Sequence, residues 1–208
     1  MSEQYFTKNP QSHSAPKSFQ TEYRGQRLTL MTDSGVFSYG ELDEGTKGLL
    51  NALPELKGRV LDLGCGYGAI GTAVGKTFDI ALTMSDVNER ALSLAKTNLK
   101  TNGISGDVIE SDGFENIPGR FDHILCNPPI RAGKAVIYRL FQEASRHLED
   151  SGSFWLVIRK QQGAPSAVNY LKTLFSSVLI ADRYKGFWII KCEQPISHIQ
   201  EGSDSNDI

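Results

Sequence analysis

An Asn-Pro-Pro segment, Asn127 to Pro129, follows an apolar run and has the residue types needed to hold an amino-group nucleophile. The two prolines keep the backbone extended and remove two N–H donors, so carbonyl oxygens are left beside the Asn127 amide. The Asn127 side-chain oxygen and the Pro128 carbonyl could accept both hydrogens of a planar NH₂ group and leave its lone pair free to attack. We therefore predict transfer chemistry at an amine, with Asn127 and Pro128 as candidate catalytic residues.

A glycine-rich segment, Gly64 to Gly68, lies between an apolar strand pattern and a helical pattern. Glycine permits a sharp turn and a close approach to a ligand, and the first N–H groups of a helix can bind an anionic group. Asp86 lies about 20 residues further on, where a carboxylate can accept hydrogen bonds from ribose hydroxyls. We predict a nucleoside-containing cofactor, bound by Gly64, Cys65, Gly66, Gly68 and Asp86.

The glycine loop alone does not distinguish between two cofactors. Gly64, Gly66 and Ala69 satisfy the GxGxxG/A pattern of dinucleotide-binding proteins. The loop therefore fits NAD as well as S-adenosylmethionine, and an NAD-dependent oxidoreductase remains an alternative. That alternative gives the Asn-Pro-Pro segment no function.

The elements around these motifs alternate between strand and helix patterns. Such alternation predicts an α/β fold with a doubly wound, mostly parallel, seven-stranded sheet, in which residues 184–186 turn tightly so that the last strand is antiparallel. The predicted strands cover 60–63, 80–85, 107–110, 121–126, 153–159, 178–182 and 187–191. The predicted helices cover 41–53, 69–76, 88–101, 134–148 and 166–175.

The chain divides into three parts. Residues 1–56 scatter aromatic residues among polar ones and predict an N-terminal cap and helix that pack on the main domain. Residues 57–192 predict the cofactor-binding catalytic domain, and residues 193–208 an acidic, disordered tail. The polar N-terminus and the lack of a long apolar run predict a cytoplasmic protein with no membrane partner.

Composition excludes a disordered, a collagen-like and a coiled-coil protein. The 208 residues are 39% hydrophobic and 22% charged, with a net charge of −2, which is ordinary for a globular protein. Residues 193–208 hold four of the 24 acidic residues and none of the 22 basic ones, so the rest carries +2 and a modest RNA or DNA surface remains open. Three cysteines and four histidines show no ligand spacing, so we expect no metal site.

The segment from Val60 to Gly68, VLDLGCGYG, resembles the glycine loop of class I S-adenosylmethionine-dependent methyltransferases. In that family the acid before the loop, here Asp62, helps to hold the methionine amino group. An Asp-Gly pair after the third strand, here Asp112-Gly113, lies where the family accepts a hydrogen bond from the adenine amine. The Asn-Pro-Pro motif of the family serves amino-group acceptors, and Asn127 is predicted to contact the cofactor as well as the acceptor. The resemblance implies S-adenosylmethionine as the cofactor.

Further segments narrow the resemblance to the bacterial small-subunit ribosomal RNA guanine-N2 methyltransferases, in their short, single-domain form. It extends from Tyr5 to Cys192 and includes YFTKNP, TDSGVFS, LDEGT, DVNERA, NPPIRAGK and RKQQGA. It implies that the protein methylates the exocyclic N2 amine of a guanine in ribosomal RNA, free or in a partly assembled small subunit.

The sequence motifs indicate the substrate-binding residues less clearly than the cofactor-binding ones. The residue after the second proline is Ile130, where DNA adenine and protein glutamine methyltransferases usually carry an aromatic residue that stacks on the acceptor. A stacking face must then come from elsewhere, and Phe19 and Phe37 are candidates. Cations at the ends of neighbouring strands could bind RNA phosphates. The candidate substrate-binding residues are Ile130, Arg131, Lys134, Arg159 and Lys160.

Two alternatives to guanine methylation remain. One is the same chemistry on a DNA adenine or a protein glutamine, against which Ile130 and the RAGK continuation argue. The other is a non-catalytic RNA-binding relative, which would need none of Asp62, Asp86 and Asn127.

Overall fold

The computed structural model describes residues 13–34, 36 and 38–196. Strands and helices alternate from Gly58 onward and follow an N-terminal hairpin and helix. The strands are β1 Lys17–Tyr23, β2 Gln26–Thr32, β3 Gly58–Leu63, β4 Ile80–Asp86, β5 Asp107–Glu110, β6 Phe121–Cys126, β7 Leu148–Arg159, β8 Phe175–Tyr184 and β9 Phe187–Pro195. The helices are α1 Glu44–Ala52, α2 Ala69–Thr77, α3 Glu89–Asn102, α4 Lys134–Arg146 and α5 Ala164–Leu171.

Seven of the strands form one sheet in the order β5-β4-β3-β6-β7-β9-β8. β3 pairs in parallel with β4 on one side and with β6 on the other. The chain therefore moves outward from β3 through β4 to β5 and then crosses back to β6. Ligands of open α/β sheets bind at the carboxyl ends of the strands at such a reversal. The fold thus brings the ends of β3 and β6 together at one edge of the sheet.

The last part of the sheet confirms the predicted antiparallel strand. β9 pairs antiparallel with both β7 and β8, while β7 pairs in parallel with β6. Lys185 and Gly186, with φ angles of 46° and 83°, form the tight turn between β8 and β9. Left-handed backbone at both positions suits the twist of a hairpin.

Three helices are shorter than the sequence patterns predict. The helix predicted over 134–148 ends at Arg146, because Leu148 joins the sheet beside Phe121. The helix predicted over 166–175 spans Ala164–Leu171, and Phe175 starts β8. The helix predicted from residue 41 begins at Glu44, because the Asp43 side chain caps it by accepting a hydrogen bond from the Thr46 N–H.

Buried side chains fill both faces of the sheet. Alternate residues of β7 divide between the two cores: Trp155 and Val157 face the helices α1, α2 and α3, whereas Phe154 and Leu156 pack with residues of α4 and α5. This two-sided burial explains why the central strands are continuous apolar runs instead of alternating ones. Among the described residues, no helix is long and apolar enough to span a membrane.

Two asparagines of α3 attach the N-terminal hairpin to the main domain. Asn98 accepts from the Met31 N–H (2.7 Å) and donates to the Met31 carbonyl (2.9 Å), and Asn102 bonds both backbone groups of Thr29. Asn98 also donates to the Tyr67 carbonyl in the glycine loop, at 2.8 Å. The two amides thus satisfy the open edge of β2 as another strand would.

Replacing Asn98 by alanine should destabilise the protein. Asn98 is fully buried, and its loss leaves the Met31 N–H and the Met31 and Tyr67 carbonyls without their side-chain partner. We expect the free energy of unfolding to fall by about 3 kcal/mol or more, since three groups lose their partner and each unsatisfied buried group costs about 1–3 kcal/mol. Urea unfolding measures this change. Lys96→Ala, at an exposed position of the same helix, is the matched control and should have little effect; an equal loss in both variants would contradict the account.

Parts of the predicted domain division lie outside the described residues. These include residues 1–12 of the cap and residues 197–208 of the acidic tail. The division into cap, catalytic domain and tail therefore stays a prediction.

Candidate active site

A cavity of about 1010 Å³ opens at the carboxyl ends of β3, β4 and β6. The glycine loop, the end of β4, the turn after β5 and the Asn-Pro-Pro segment all contribute to its wall. Small-molecule sites enclose about 300–1000 Å³. The cavity therefore has room for a nucleoside cofactor and part of a second molecule.

The glycine loop turns between β3 and α2 with three left-handed residues. Gly64, Gly66 and Gly68 have φ angles of 68°, 55° and 81°. A Cβ at Gly64 or Gly66 would meet no protein atom within 4 Å, so the backbone conformation requires glycine there and the space beside it stays open. Cys65 is buried within the loop and lines the cavity.

Asp86 fixes the loop to the end of β4. Its Oδ2 accepts from the Gly66 N–H at 2.8 Å, and its Oδ1 accepts from the Asn88 N–H at 2.9 Å. Burial raises the pKa of Asp86, and these backbone hydrogen bonds oppose the rise. Asp86 also lines the cavity, which is the position predicted for a ribose-binding carboxylate.

Asp62 lies beneath the loop and not on the cavity wall. It is fully buried, and its Oδ2 accepts from the Gly71 N–H at 2.7 Å. Its Oδ1 is buried without a hydrogen-bond partner. Burial raises the pKa of Asp62 to about 7, with a further contribution from the negative charge of Asp86. Asp62 thus supports α2 with one oxygen and keeps an unused acceptor behind the loop.

Asp112 and Gly113 line the cavity after β5. Arg139 of α4 donates to Asp112 Oδ1 at 2.5 Å and also contacts Glu143. The sequence patterns gave no sign of this arginine, because it lies 27 residues from Asp112 within an ordinary amphipathic helix. The ion pair orients the Asp112 carboxylate at the position predicted to accept from an adenine amine.

Asn127 is held by the first turn of α1. Its Nδ2 donates to Thr46 Oγ1 at 3.2 Å and lies 3.4 Å from Asp43 Oδ1. Because these contacts assign the nitrogen to α1, the side-chain oxygen is left to accept from a ligand in the cavity. Pro128 and Pro129 line the same wall. The structure therefore brings Asn127 and Pro128, the two residues predicted to hold the amine, to the same cavity wall.

The predicted substrate-binding residues divide into two groups. Ile130, Arg131 and Arg159 line the cavity. Lys134 and Lys160 do not: the Lys134 ammonium lies 5.0 Å from the Tyr138 ring centroid, and Lys160 is exposed just beyond β7. Of the predicted cations, only the two arginines line the cavity; Arg139 and Lys185 line it as well and form ion pairs with Asp112 and Glu44.

Neither of the two candidate stacking residues, Phe19 and Phe37, is seen on the cavity wall. Phe19 lies outside the cavity and packs edge-on against Tyr67, with ring centroids 6.3 Å apart. Phe37 lies outside the described residues. Phe187 of β9, which the sequence patterns did not single out, lines the cavity.

The described residues fit S-adenosylmethionine. Asp86 offers carboxylate acceptors at the cavity wall, and the turn after β5 presents Asp112, held by Arg139. The buried Asp62 Oδ1 has no protein partner, which suits a carboxylate that acts on a cationic amino group. Gly64 and Gly66 leave open space along the loop, whereas the position beside Gly68 is filled by Met84 and Ala95.

Comparisons with known proteins place the chain in a family. Residues 27–191 match the model described as "Methyltransferase small domain". The uncharacterised protein YbxB of Bacillus subtilis is 42% identical over 200 residues, which cover 93% of this chain and all of that protein. Ribosomal RNA small subunit methyltransferase C of Actinobacillus pleuropneumoniae is 42% identical over 149 residues, covering 68% of this chain but 45% of the relative. The chain thus spans about half the length of such relatives.

A solved structure gives the same result. The T. thermophilus 16S rRNA N2 G1207 methyltransferase (RsmC), in complex with AdoMet and guanosine, superposes with a TM-score of 0.78 at 26% identity. The match covers 86% of this chain and 50% of that one. The predicted fold and cofactor are confirmed, and NAD is excluded as the alternative. The chain belongs to the methyltransferase small domain family and is an S-adenosylmethionine-dependent methyltransferase of class I, related to the small-subunit methyltransferase C enzymes.

Proposed function

We propose that this methyltransferase methylates the exocyclic N2 amine of a guanine in small-subunit ribosomal RNA. The observation that carries the proposal is the Asn127 amide, whose nitrogen is bonded to α1 while its oxygen is left for the acceptor at the cavity wall. The names of the relatives support the choice of nucleic acid, and the guanosine complex of RsmC supports the choice of base.

Asn127 and Pro128 would orient the acceptor. The Asn127 oxygen and the Pro128 carbonyl accept the two hydrogens of the guanine amine and leave its lone pair directed at the carbon to be methylated. S-adenosylmethionine, when bound, supplies a methyl group on a positively charged sulfur. After transfer the nitrogen carries the positive charge and loses its proton to solvent, so no strong base is required.

Further residues would bind the two molecules. Asp86 would accept from the ribose hydroxyls and Asp112 from the adenine amine. Asp62, which lies behind the loop and not on the cavity wall, would attract the methionine amino group through its charge when ionised and not by direct contact. The loop residues Gly64, Cys65 and Gly66, with Gly113, would form the backbone surface against which the cofactor lies. Gly68, also predicted to bind the cofactor, is not on the cavity wall and packs against Met84 and Ala95. Arg131 and Arg159 would contact RNA phosphates at the mouth.

The acceptor guanine must be unpaired or flipped out, because the Asn127 amide lies on the wall of a cavity that a duplex cannot enter. We propose ribosomal RNA, alone or in a partly assembled small subunit, as the partner. The proposed compartment is the cytoplasm, which the three free, buried cysteines support.

A cellular comparison tests the substrate. We expect small-subunit ribosomal RNA from a deletion strain to lack one N2-methylguanosine that the parent contains, with wild-type protein restoring it and Asn127→Ala failing to do so. Nucleoside mass spectrometry after site-directed digestion gives the position. An unchanged set of methylguanosines in the deletion strain would contradict the proposal and direct attention to another amine.

A further inference from the structure

The cavity wall that includes Asn127 also includes an aromatic ring from outside the Asn-Pro-Pro motif. Phe187 is the first residue of β9, is half-buried and lines the cavity. Its partner across the antiparallel ladder is Arg159 at the end of β7. The Arg159 guanidinium carbon lies 5.3 Å from the Phe187 ring centroid, within the range of a cation–π contact.

The Phe187 ring and the Asn127 amide are held by the same helix turn. Phe187 packs against Gly45, where a Cβ would lie 3.1 Å from ring atom Cε1. Asn127 donates a hydrogen bond to Thr46, the residue after that glycine, and approaches Asp43, the residue that caps α1 two positions before it. The absence of a side chain at Gly45 therefore lets the ring lie beside the groups that hold the amide.

No other described aromatic residue offers an accessible ring to a base in the cavity. Within the described chain, Tyr67 and Phe187 are the aromatic residues that line the cavity. Tyr67 is 3% exposed and is enclosed by the glycine loop and Phe19. Phe187 remains as the ring that shares the cavity wall and the first turn of α1 with Asn127, on a segment that follows the Asn-Pro-Pro motif by about 60 residues.

We propose that Phe187, with the Arg159 guanidinium against it, forms the stacking surface for the acceptor guanine. This inference rests on the proposed function, because it assumes a purine acceptor. Flipped bases are held by stacking between aromatic side chains or on guanidinium planes. The pair would do what the aromatic residue after the second proline does in other Asn-Pro-Pro enzymes, and it would explain why Ile130 is sufficient there.

Three variants test the stacking surface. Phe187→Leu keeps an apolar side chain on Gly45 but removes the ring, Phe187→Tyr keeps the ring, and Phe19→Leu removes a ring outside the cavity. Small-subunit ribosomal RNA from the deletion strain and methyl-labelled S-adenosylmethionine are the substrates. We expect Phe187→Leu to raise KM for RNA about tenfold to hundredfold, as loss of one base–aromatic stack does, and Phe187→Tyr and Phe19→Leu to leave it unchanged.

A binding measurement separates this inference from the proposed function. Saturation-transfer NMR of guanosine with the S-adenosylhomocysteine complex should show transfer to the base protons in the wild type and in Phe187→Tyr, and a loss of transfer in Phe187→Leu. Calorimetry should find the S-adenosylhomocysteine affinity unchanged in all three variants.

Distinct results overturn the two claims. The stacking surface would be overturned if Phe187→Leu kept the wild-type KM for RNA, or if its affinity for S-adenosylhomocysteine fell as much as its KM rose. Guanine methylation by the wild-type enzyme would still uphold the proposed function in either case. Absence of guanine methylation by the wild-type enzyme would overturn the proposed function, and the guanosine measurement would still decide whether Phe187 binds a purine.

Discussion

The Asn127→Ala enzyme is expected to turn over about 10²- to 10³-fold more slowly than the wild type, the loss found when one orienting hydrogen-bond group is removed from an active site. The reason is geometric: Asn127 is held through Nδ2 by Thr46 and Asp43, so its oxygen has a fixed direction before substrate binds. Alanine removes that acceptor and leaves the acceptor amine with the Pro128 carbonyl alone. Single-turnover methylation with saturating cofactor and RNA measures the chemical step.

Two controls separate orientation from damage to the fold. S-adenosylhomocysteine affinity should remain at the wild-type value in Asn127→Ala, because the predicted cofactor contacts lie mainly on the glycine loop, Asp86 and Asp112. Thr46→Val, which removes one of the two partners of Nδ2, should cause a smaller loss because Asp43 remains. Wild-type turnover in Asn127→Ala would exclude Asn127 from the mechanism.

The second large effect concerns stability and pH. In the folded protein, burial raises the pKa of Asp62 from its ordinary value of 3.8 to about 7. The folded state thus holds a proton that the unfolded chain has lost, so this group's contribution to stability is complete below about pH 4 and declines as the pH rises to about 7. At about 1.4 kcal/mol per tenfold change, the decline is about 4 kcal/mol.

Asp62→Asn removes this pH dependence, since asparagine does not ionise and its oxygen can still accept from the Gly71 N–H. We expect the unfolding free energy of the wild type to fall more steeply than that of the variant between pH 4 and 7.5, as measured by urea unfolding. Asp86, whose pKa burial also raises, is present in both proteins, so the difference in slope isolates Asp62. Parallel curves would show that Asp62 is ionised in the folded protein.

Much of the fold follows from local patterns in the sequence. The strand β6, Phe121–Cys126, and the glycine turn were predictable because apolar runs and left-handed glycines depend on nearby residues. The helix ends were less so. Leu148 continues a helical pattern, but it belongs to β7 because a distant residue, Phe121, pairs with it. Only tertiary contacts decide such boundaries.

The site divides in the same way. Asp86 and Asn127 were predictable because each belongs to a local sequence motif. Arg139 and Phe187 were not, because they reach the cavity through contacts with residues distant in sequence. Asp43 had a readable signal, since aspartate is a preferred helix cap, but nothing local connects that cap to Asn127, which lies 84 residues further along the chain. Phe19, an aromatic residue in the N-terminal hairpin, shows the converse: its side chain is needed for packing against Tyr67.

The most direct test of the central claim is to identify the nucleoside that receives the methyl group. Purified protein, small-subunit ribosomal RNA from the deletion strain and S-adenosylmethionine with a deuterated methyl group would be incubated, and the digested RNA analysed by mass spectrometry. The structure and its relatives predict label in N2-methylguanosine in the wild type and its near absence with Asn127→Ala. Label in another nucleoside, or none in RNA with cofactor bound, would contradict guanine-N2 methylation.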